Sequence, residues 1–120
     1  MFSLNQVYQL FADGLGLLYI LIKGGVTLKK TFVVILPMLD EQKSADYRAA
    51  HLEYLEQRWN EGILSAYGRF TDGSGGMLIY TADSIEQVEA WAVADPYVIH
   101  KARTYEVREW ALAKANLTHS

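Results

Sequence analysis

The chain contains no cysteine. That excludes a disulfide scaffold, a thiolate zinc site, an iron–sulfur cluster and a cysteine nucleophile. Histidine is scarce: His51, His100 and His119 stand far apart in sequence, so no metal site is assigned. Basic charge is not in excess either, since 11 Lys and Arg face 14 Asp and Glu for a net charge of −3. Without surplus cations to release counterions from phosphates, a nucleic-acid partner is not expected. The longest apolar run, residues 15–22, is broken by Gly16 and falls far short of the ~20 residues of a membrane helix. What remains is ordinary: 120 residues, 51% hydrophobic and 21% charged, the proportions of one globular domain.

Residues 1–27 read unlike the rest, with a single acid (Asp13) and a single base (Lys23). An amphipathic helix is expected over residues 4–11, then a second apolar segment packing on the domain or on a partner subunit. No basic residue precedes the apolar run and no small-residue cleavage site follows it before Lys23, so a signal peptide is not expected. The protein is accordingly expected in the cytoplasm, without a membrane partner. Lys23-Gly24-Gly25 can be encoded as AAA-GGA-GGN, a purine-rich ribosome-binding sequence. Val26 as GTG or Leu28 as TTG would then be the start codon. The expected organisation is an N-terminal extension (1–27), an α+β domain (28–115) and a flexible tail (116–120).

Residues 31–36 (TFVVIL) form a continuous β-branched and aromatic run, the mark of a buried strand, and Pro37 ends it. Asp40 or Ser44 can cap a helix running to about Asn60, with Leu52, Leu55 and Trp59 as its apolar stripe and Tyr47 and His51 on the border. Gly62 suits the left-handed stop. Residues 63–70 and 77–81 read as a hairpin around Thr71-Asp72-Gly73-Ser74-Gly75-Gly76. A strand, not a helix, follows these glycines, so they make a turn and not a phosphate loop. Ser84-Ile85-Glu86-Gln87 is a capping box, and its helix carries Ile85, Val88, Trp91 and Ala92 on one face. Asp95-Pro96 ends that helix. Residues 97–102 read as a loop and 105–112 as the last strand, with Trp110 near a dimer seam.

The order β-α-β-β-α-β is the ferredoxin-like motif: a four-stranded antiparallel sheet with two helices on one face. The first two strands are apolar on both sides. The uncovered face is therefore expected to bury itself in a homodimer, closing an α+β barrel.

The chain resembles the YciI-like (YCII-related) family over residues 31–110. The resemblance is carried by Arg48-Ala49-Ala50-His51-Leu52, Glu61-Gly62-Ile63-Leu64, Tyr67-Gly68, the hairpin Asp72-Gly73-Ser74-Gly75-Gly76, and Ala94-Asp95-Pro96-Tyr97. It implies a dimeric α+β barrel with a shallow pocket near the His and Asp. Most members have no assigned reaction; one relative is a dehydrochlorinase acting on a chlorinated hydroxyhydroquinone. The fold implied is also similar to that of muconolactone isomerases. Many relatives carry Gly-Pro where this chain has Gly68-Arg69, a departure that bears on what the pocket binds.

His51 is the leading catalytic candidate, because imidazole titrates near neutrality and can give or take a proton. Asp95, on a corner before proline, is the second: by accepting from one ring nitrogen it would fix the tautomer of the other. Arg69 suits bidentate binding of a carboxylate or phenolate. Tyr47, Tyr67 and Tyr97, with Gly68 beside them, are candidates to line a pocket for a small aromatic ligand. Structural roles stand beside each: His51 bonded to a backbone carbonyl, Asp95 as a turn acid, Arg69 paired with Asp72 or Glu61, the tyrosines as packing. His100, His119, Glu86 and Glu89 are read as incidental. The expected function is cofactor-free lyase or isomerase chemistry on a small organic molecule, and the sequence requires no cofactor. The alternative is a non-catalytic ligand-binding or assembly module. A third is a cofactor-free monooxygenase, which would need a deep apolar pocket.

Overall fold

Valine, isoleucine and phenylalanine crowd residues 31–36, and their branched or aromatic side chains favour extended backbone. In the computed structural model, which describes residues 8–12, 17–22 and 25–116, this run belongs to a longer strand, β3 (Gly25–Pro37). Two strands precede it, β1 (Tyr8–Ala12) and β2 (Leu17–Ile22). Then come α1 (Glu41–Asp46), α2 (Arg48–Asn60), β4 (Leu64–Arg69), β5 (Gly75–Ala82), α3 (Ile85–Val93), α4 (Pro96–Ile99) and β6 (Glu106–Trp110). The order β1-β2-β3-β5-β4, with β6 also along β3, makes one antiparallel sheet. Its β4-β5-β3-β6 portion is the expected ferredoxin-like core.

The N-terminal segment departs from expectation. Where a helix over 4–11 was expected, Tyr8–Ala12 is strand, and residues 4–7 lie outside the described residues. The cause is the partner: residues 17–22 pair antiparallel with residues 25–30, from Leu17 opposite Lys30 to Ile22 opposite Gly25. Residues 17–22 therefore join the sheet edgewise, and β3 continues unbroken across position 28. The tail from residue 117 lies outside the described residues.

The long first helix is also interrupted. Asp40 caps α1 by accepting from the Lys43 amide at 2.9 Å, as expected, but the chain breaks at Tyr47 before α2 begins. Within α2 the buried face is only partly the expected one. His51 and Leu55 point inward, while Leu52 and Trp59, expected in the apolar stripe, are 40% and 48% exposed. On α3, Ser84 accepts from the Gln87 amide at 3.3 Å, and Val88 and Ala92 are buried. Gln87 Oε1 in turn accepts from the Asp83 amide, one residue earlier than the expected partner. The tyrosine of α2 ties the two helices together: Tyr54 Oη donates to the Trp91 carbonyl at 2.7 Å.

Register assigns the two faces. Phe32, Val34, Leu36, Leu78 and Tyr80 alternate inward beneath the helices and form the core with Leu55 and Val88. Val33, Ile35, Met77 and Ile79 alternate onto the opposite face, where they are only half-buried. That open apolar face comes from β3 and β5. The second core strand, β4, was expected to contribute equally, but as an edge strand it is mostly exposed beyond Leu64. Trp110, opposite Thr31 in register, lies on the open face and is 42% exposed.

Candidate active site

Asp95 sits where α3 ends. Proline at 96 disfavours helical backbone in the residue before it, and Asp95 is extended at φ −65°, ψ 130°. The same residue then opens α4, a single turn where a loop over 97–102 was expected. Its carboxylate Oδ1 accepts from the Tyr97 amide at 2.9 Å, a helix cap with proline at the first helical position. From this position the carboxylate faces the first turn of α2. His51 Nδ1 lies 2.8 Å from Oδ1 and 2.9 Å from Oδ2. Asp95 is 1% exposed and His51 is 8% exposed.

An ionised carboxylate only accepts, so Nδ1–H is the donor and Nε2 is the nitrogen left to exchange a proton. The ring is clamped from its face as well. Tyr97 stacks on it with centroids 3.9 Å apart and planes 11° from parallel. On Tyr97's ring rests the guanidinium of Arg103, 4.5 Å from the centroid. Arg103 is held by Ser44 Oγ, which accepts from Nε at 3.0 Å, and by the Leu36 carbonyl at 3.4 Å from Nη1. Imidazole, phenol and guanidinium thus form one pile, and the buried Asp95 fixes the imidazole edge.

The pile borders a cleft of about 230 Å³ between α2, α4 and the β4–β5 hairpin. His51, Tyr97, Tyr67, Gly68 and Arg69 all line it, so five of the expected site residues come together. Two do not. Asp95 stands behind the imidazole and does not reach the cleft. Tyr47 is not among the lining residues; at the helix break its ring stacks on His100 instead, 3.8 Å away and 3° from parallel. Arg69 pairs with neither Asp72 nor Glu61. Glu61 is taken by Arg58 at 2.7 and 2.8 Å, and Asp72 accepts from the Ser74 amide at 2.9 Å. His51 bonds a carboxylate, where a backbone carbonyl was the structural alternative.

Two charged lining residues escaped the sequence reading as site residues, Arg48 and Arg103. Arg48 carried a signal, since it lies three residues before His51 on the same helical face. Arg103 carried none: it returns to the cleft only because Lys101 adopts φ 60°, which reverses the chain after α4. Behind the site, the buried Tyr80 hydroxyl has no hydrogen-bond partner among the described residues, and burial pushes it above the usual phenol range. Burial likewise raises Tyr54, opposed by the neighbouring Arg58. Among the described residues no cluster of His, Asp or Glu has the makings of a metal centre. No helix there is long and apolar enough to cross a membrane.

Comparison with known proteins matches this architecture. The dehydrochlorinase TftG from Burkholderia phenoliruptrix AC1100 acts on 5-chloro-2-hydroxyhydroquinone, and its structure holds 2,5-dihydroxybenzoquinone. It shares the fold at a TM-score of 0.59 and 24% identity, over 67% of this chain and 92% of that one. The uncharacterised protein YjpA of Bacillus subtilis (strain 168) is 32% identical over 81 residues, 68% of this chain and 95% of YjpA. The YCII-related domain matches residues 29–111, a span holding the whole dyad and the whole cleft. By that match this chain belongs to the YCII-related, or YciI-like, family.

Proposed function

We propose that this protein is a cofactor-independent lyase or isomerase, working as a cytoplasmic homodimer on a small aromatic or enolisable organic molecule. His51 moves the proton through Nε2. Asp95 orients the ring and offsets the charge of the imidazolium formed when Nε2 takes a proton. Tyr97, Tyr67 and Gly68 shape the cleft, and Arg69 faces the substrate's polar end.

One observation carries the reading: the imidazole meets a nearly inaccessible carboxylate at 2.8 Å while its own ring lines an open cleft. A merely structural histidine needs no such opening. Both reaction types require little beyond proton transfer. In an isomerisation His51 takes a proton from carbon and returns it to another atom. In an elimination the C–H pair becomes the new π bond, and the leaving group departs with its own bonding pair. TftG acts on an oxygenated single ring, which supports a substrate of that size. The half-buried open face of Val33, Ile35, Met77 and Ile79 supports the dimer.

The test is a panel of phenols, lactones and dicarbonyls, followed by proton NMR in D2O with the wild type and with His51→Gln. Solvent deuterium incorporation or product formation that disappears in His51→Gln is the expected result. A ligand that shifts the His51 resonances but undergoes no His51-dependent change would replace the enzyme with a binding module. Ligands that leave His51 unshifted would move the site elsewhere.

A further inference from the structure

Charge around the cleft runs against the charge of the chain. The protein has 14 acidic and 11 basic residues, yet the cleft wall carries Arg48, Arg69 and Arg103 and no Asp or Glu. A neighbouring hollow of about 250 Å³ is bordered by the same three arginines, with Glu41 as its acid. Asp95 is used on His51 and is screened from the cleft by the imidazole.

These guanidiniums differ from the others in the fold. Arg58 has its charge paired, donating twice to the Glu61 carboxylate. Arg48 and Arg69 make no ion pair among the described residues, and both are exposed at the mouth. Arg103 spends Nε on Ser44 and one Nη1 hydrogen on Leu36. A guanidinium has five N–H donors, so three remain for a ligand. Three like charges gathered on one half-enclosed wall repel one another unless an anion enters, and such a wall concentrates anions from solution.

We infer that the substrate is an organic carboxylate, with its carboxylate held by Arg69 and Arg48 at the mouth and its charge complemented by Arg103 on the Tyr97 side. This rests on reading the cleft as the small-molecule site. The planar fork of arginine matches a carboxylate in a way a lysine does not. Size narrows the class: an engineered apolar cavity of about 150 Å³ admits benzene, so about 230 Å³ holds one ring, or an open chain of similar bulk, plus the carboxylate. With its anionic end at the arginines, the reacting carbon lies on the His51 side. A carboxylate that is itself enolisable or carries a phenol fits both ends.

The probe is benzoate, with benzamide as its neutral isostere and phenyl phosphate as a rival anion, titrated by NMR against the full chain. Benzoate is expected to bind about tenfold or more tightly than benzamide at low salt, and to lose that margin at high salt. Arg69→Gln should erase most of the margin while leaving benzamide unchanged, and Arg69→Lys should restore part of it. Equal binding of benzoate and benzamide, no binding of either, or a margin that survives Arg69→Gln together with Arg48→Gln would overturn the inference. Tighter binding of phenyl phosphate than of benzoate would overturn the carboxylate assignment. These readouts need no turnover, so their failure leaves the acid–base reading standing. Loss of His51-dependent chemistry, in turn, leaves the anion site standing.

Discussion

Asp95 does two jobs with one carboxylate, and substitutions can separate them. It caps α4 through the Tyr97 amide and it holds His51 Nδ1 with both oxygens. Asp95→Ala removes both contacts at a position 1% exposed. Loss of the bond from His51 to the charged carboxylate costs about 1–3 kcal/mol, and loss of the cap about 1 kcal/mol more. Asp95→Ser keeps an oxygen able to cap but is one atom too short for His51, so it should recover about 1 kcal/mol and no more. His51→Ala strands the carboxylate in the interior and should cost a comparable 3 kcal/mol or so. Because both single variants break one shared contact, His51→Ala/Asp95→Ala should be less damaged than their sum by about 2 kcal/mol. Urea unfolding near pH 7 measures the wild type and all four variants. The nitrogen-15 spectrum of His51 should show the proton on Nδ1 in the wild type and a relaxed tautomer preference in Asp95→Ser. Strictly additive losses, with coupling under about 0.5 kcal/mol, would refute the claim that these groups act as a unit.

Three further outcomes follow from the packing. A Cβ at Gly75, where φ is +142°, would collide with the Leu36 carbonyl oxygen, so Gly75→Ala should cost about 3 kcal/mol or more in denaturant unfolding; a loss below about 1 kcal/mol would mean the hairpin can shift. Burial raises the Tyr80 hydroxyl, whereas in the unfolded chain a tyrosine ionises near 10. The unfolded state therefore loses that proton first, and stability from this group is full below about pH 10 and declines as pH rises beyond it. Tyr80→Phe should flatten this alkaline decline and, by removing a hydroxyl without a partner among the described residues, leave stability at pH 7 equal or up to about 1 kcal/mol higher; a clear loss at pH 7 would reveal a partner. Val33 and Ile79 face each other across β3 and β5 on the open face, so Val33→Glu should convert a particle of twice the 13.6 kDa chain mass into a monomer in sedimentation equilibrium; identical masses would remove the sheet face as the seam.

The core of the fold was legible because its signals are local. A β-branched run, a capping box and a glycine-rich hairpin each specify backbone within a few residues; the strand, the helix start and the hairpin form where read, with only the reciprocal Gln87 bond shifted to the Asp83 amide. The N-terminal strands were not legible, because their pairing depends on β3 continuing back to Gly25, and an apolar octet does not state whether its period is two or 3.6. The inward face of α2 was only partly legible. The stripe Leu52, Leu55 and Trp59 places Leu55 correctly, but packing against the core buries His51 one turn before it and leaves Leu52 and Trp59 half exposed, which the period within α2 alone does not decide. The break between the helices bears on Tyr47: as the residue between α1 and α2 it does not line the cleft and stacks on His100. Arg103 was beyond local reading, since its place depends on a left-handed lysine two residues earlier.

The segment Asp95-Pro96-Tyr97 shows why the site is rigid despite sitting on a corner. Pro96 fixes its own φ and pushes Asp95 into extended backbone, which aims the carboxylate back toward the Tyr97 amide. With one oxygen pinned by that amide, the carboxylate has little freedom to follow the imidazole, so the imidazole must come to it. The next side chain, Tyr97, then covers the ring face at 3.9 Å. Edge and face of His51 are thus set by residues two apart in one turn, and the turn is anchored by Ala102 and Arg103 amides donating to the Tyr97 carbonyl at 2.8 and 3.0 Å. A base held this way loses little rotamer freedom when substrate arrives, which is the condition for positioning a proton transfer. It follows that loosening the turn without touching either dyad member should weaken the orientation of His51. Pro96→Ala is that perturbation: the cap and the dyad atoms all remain, but Asp95 regains access to helical backbone.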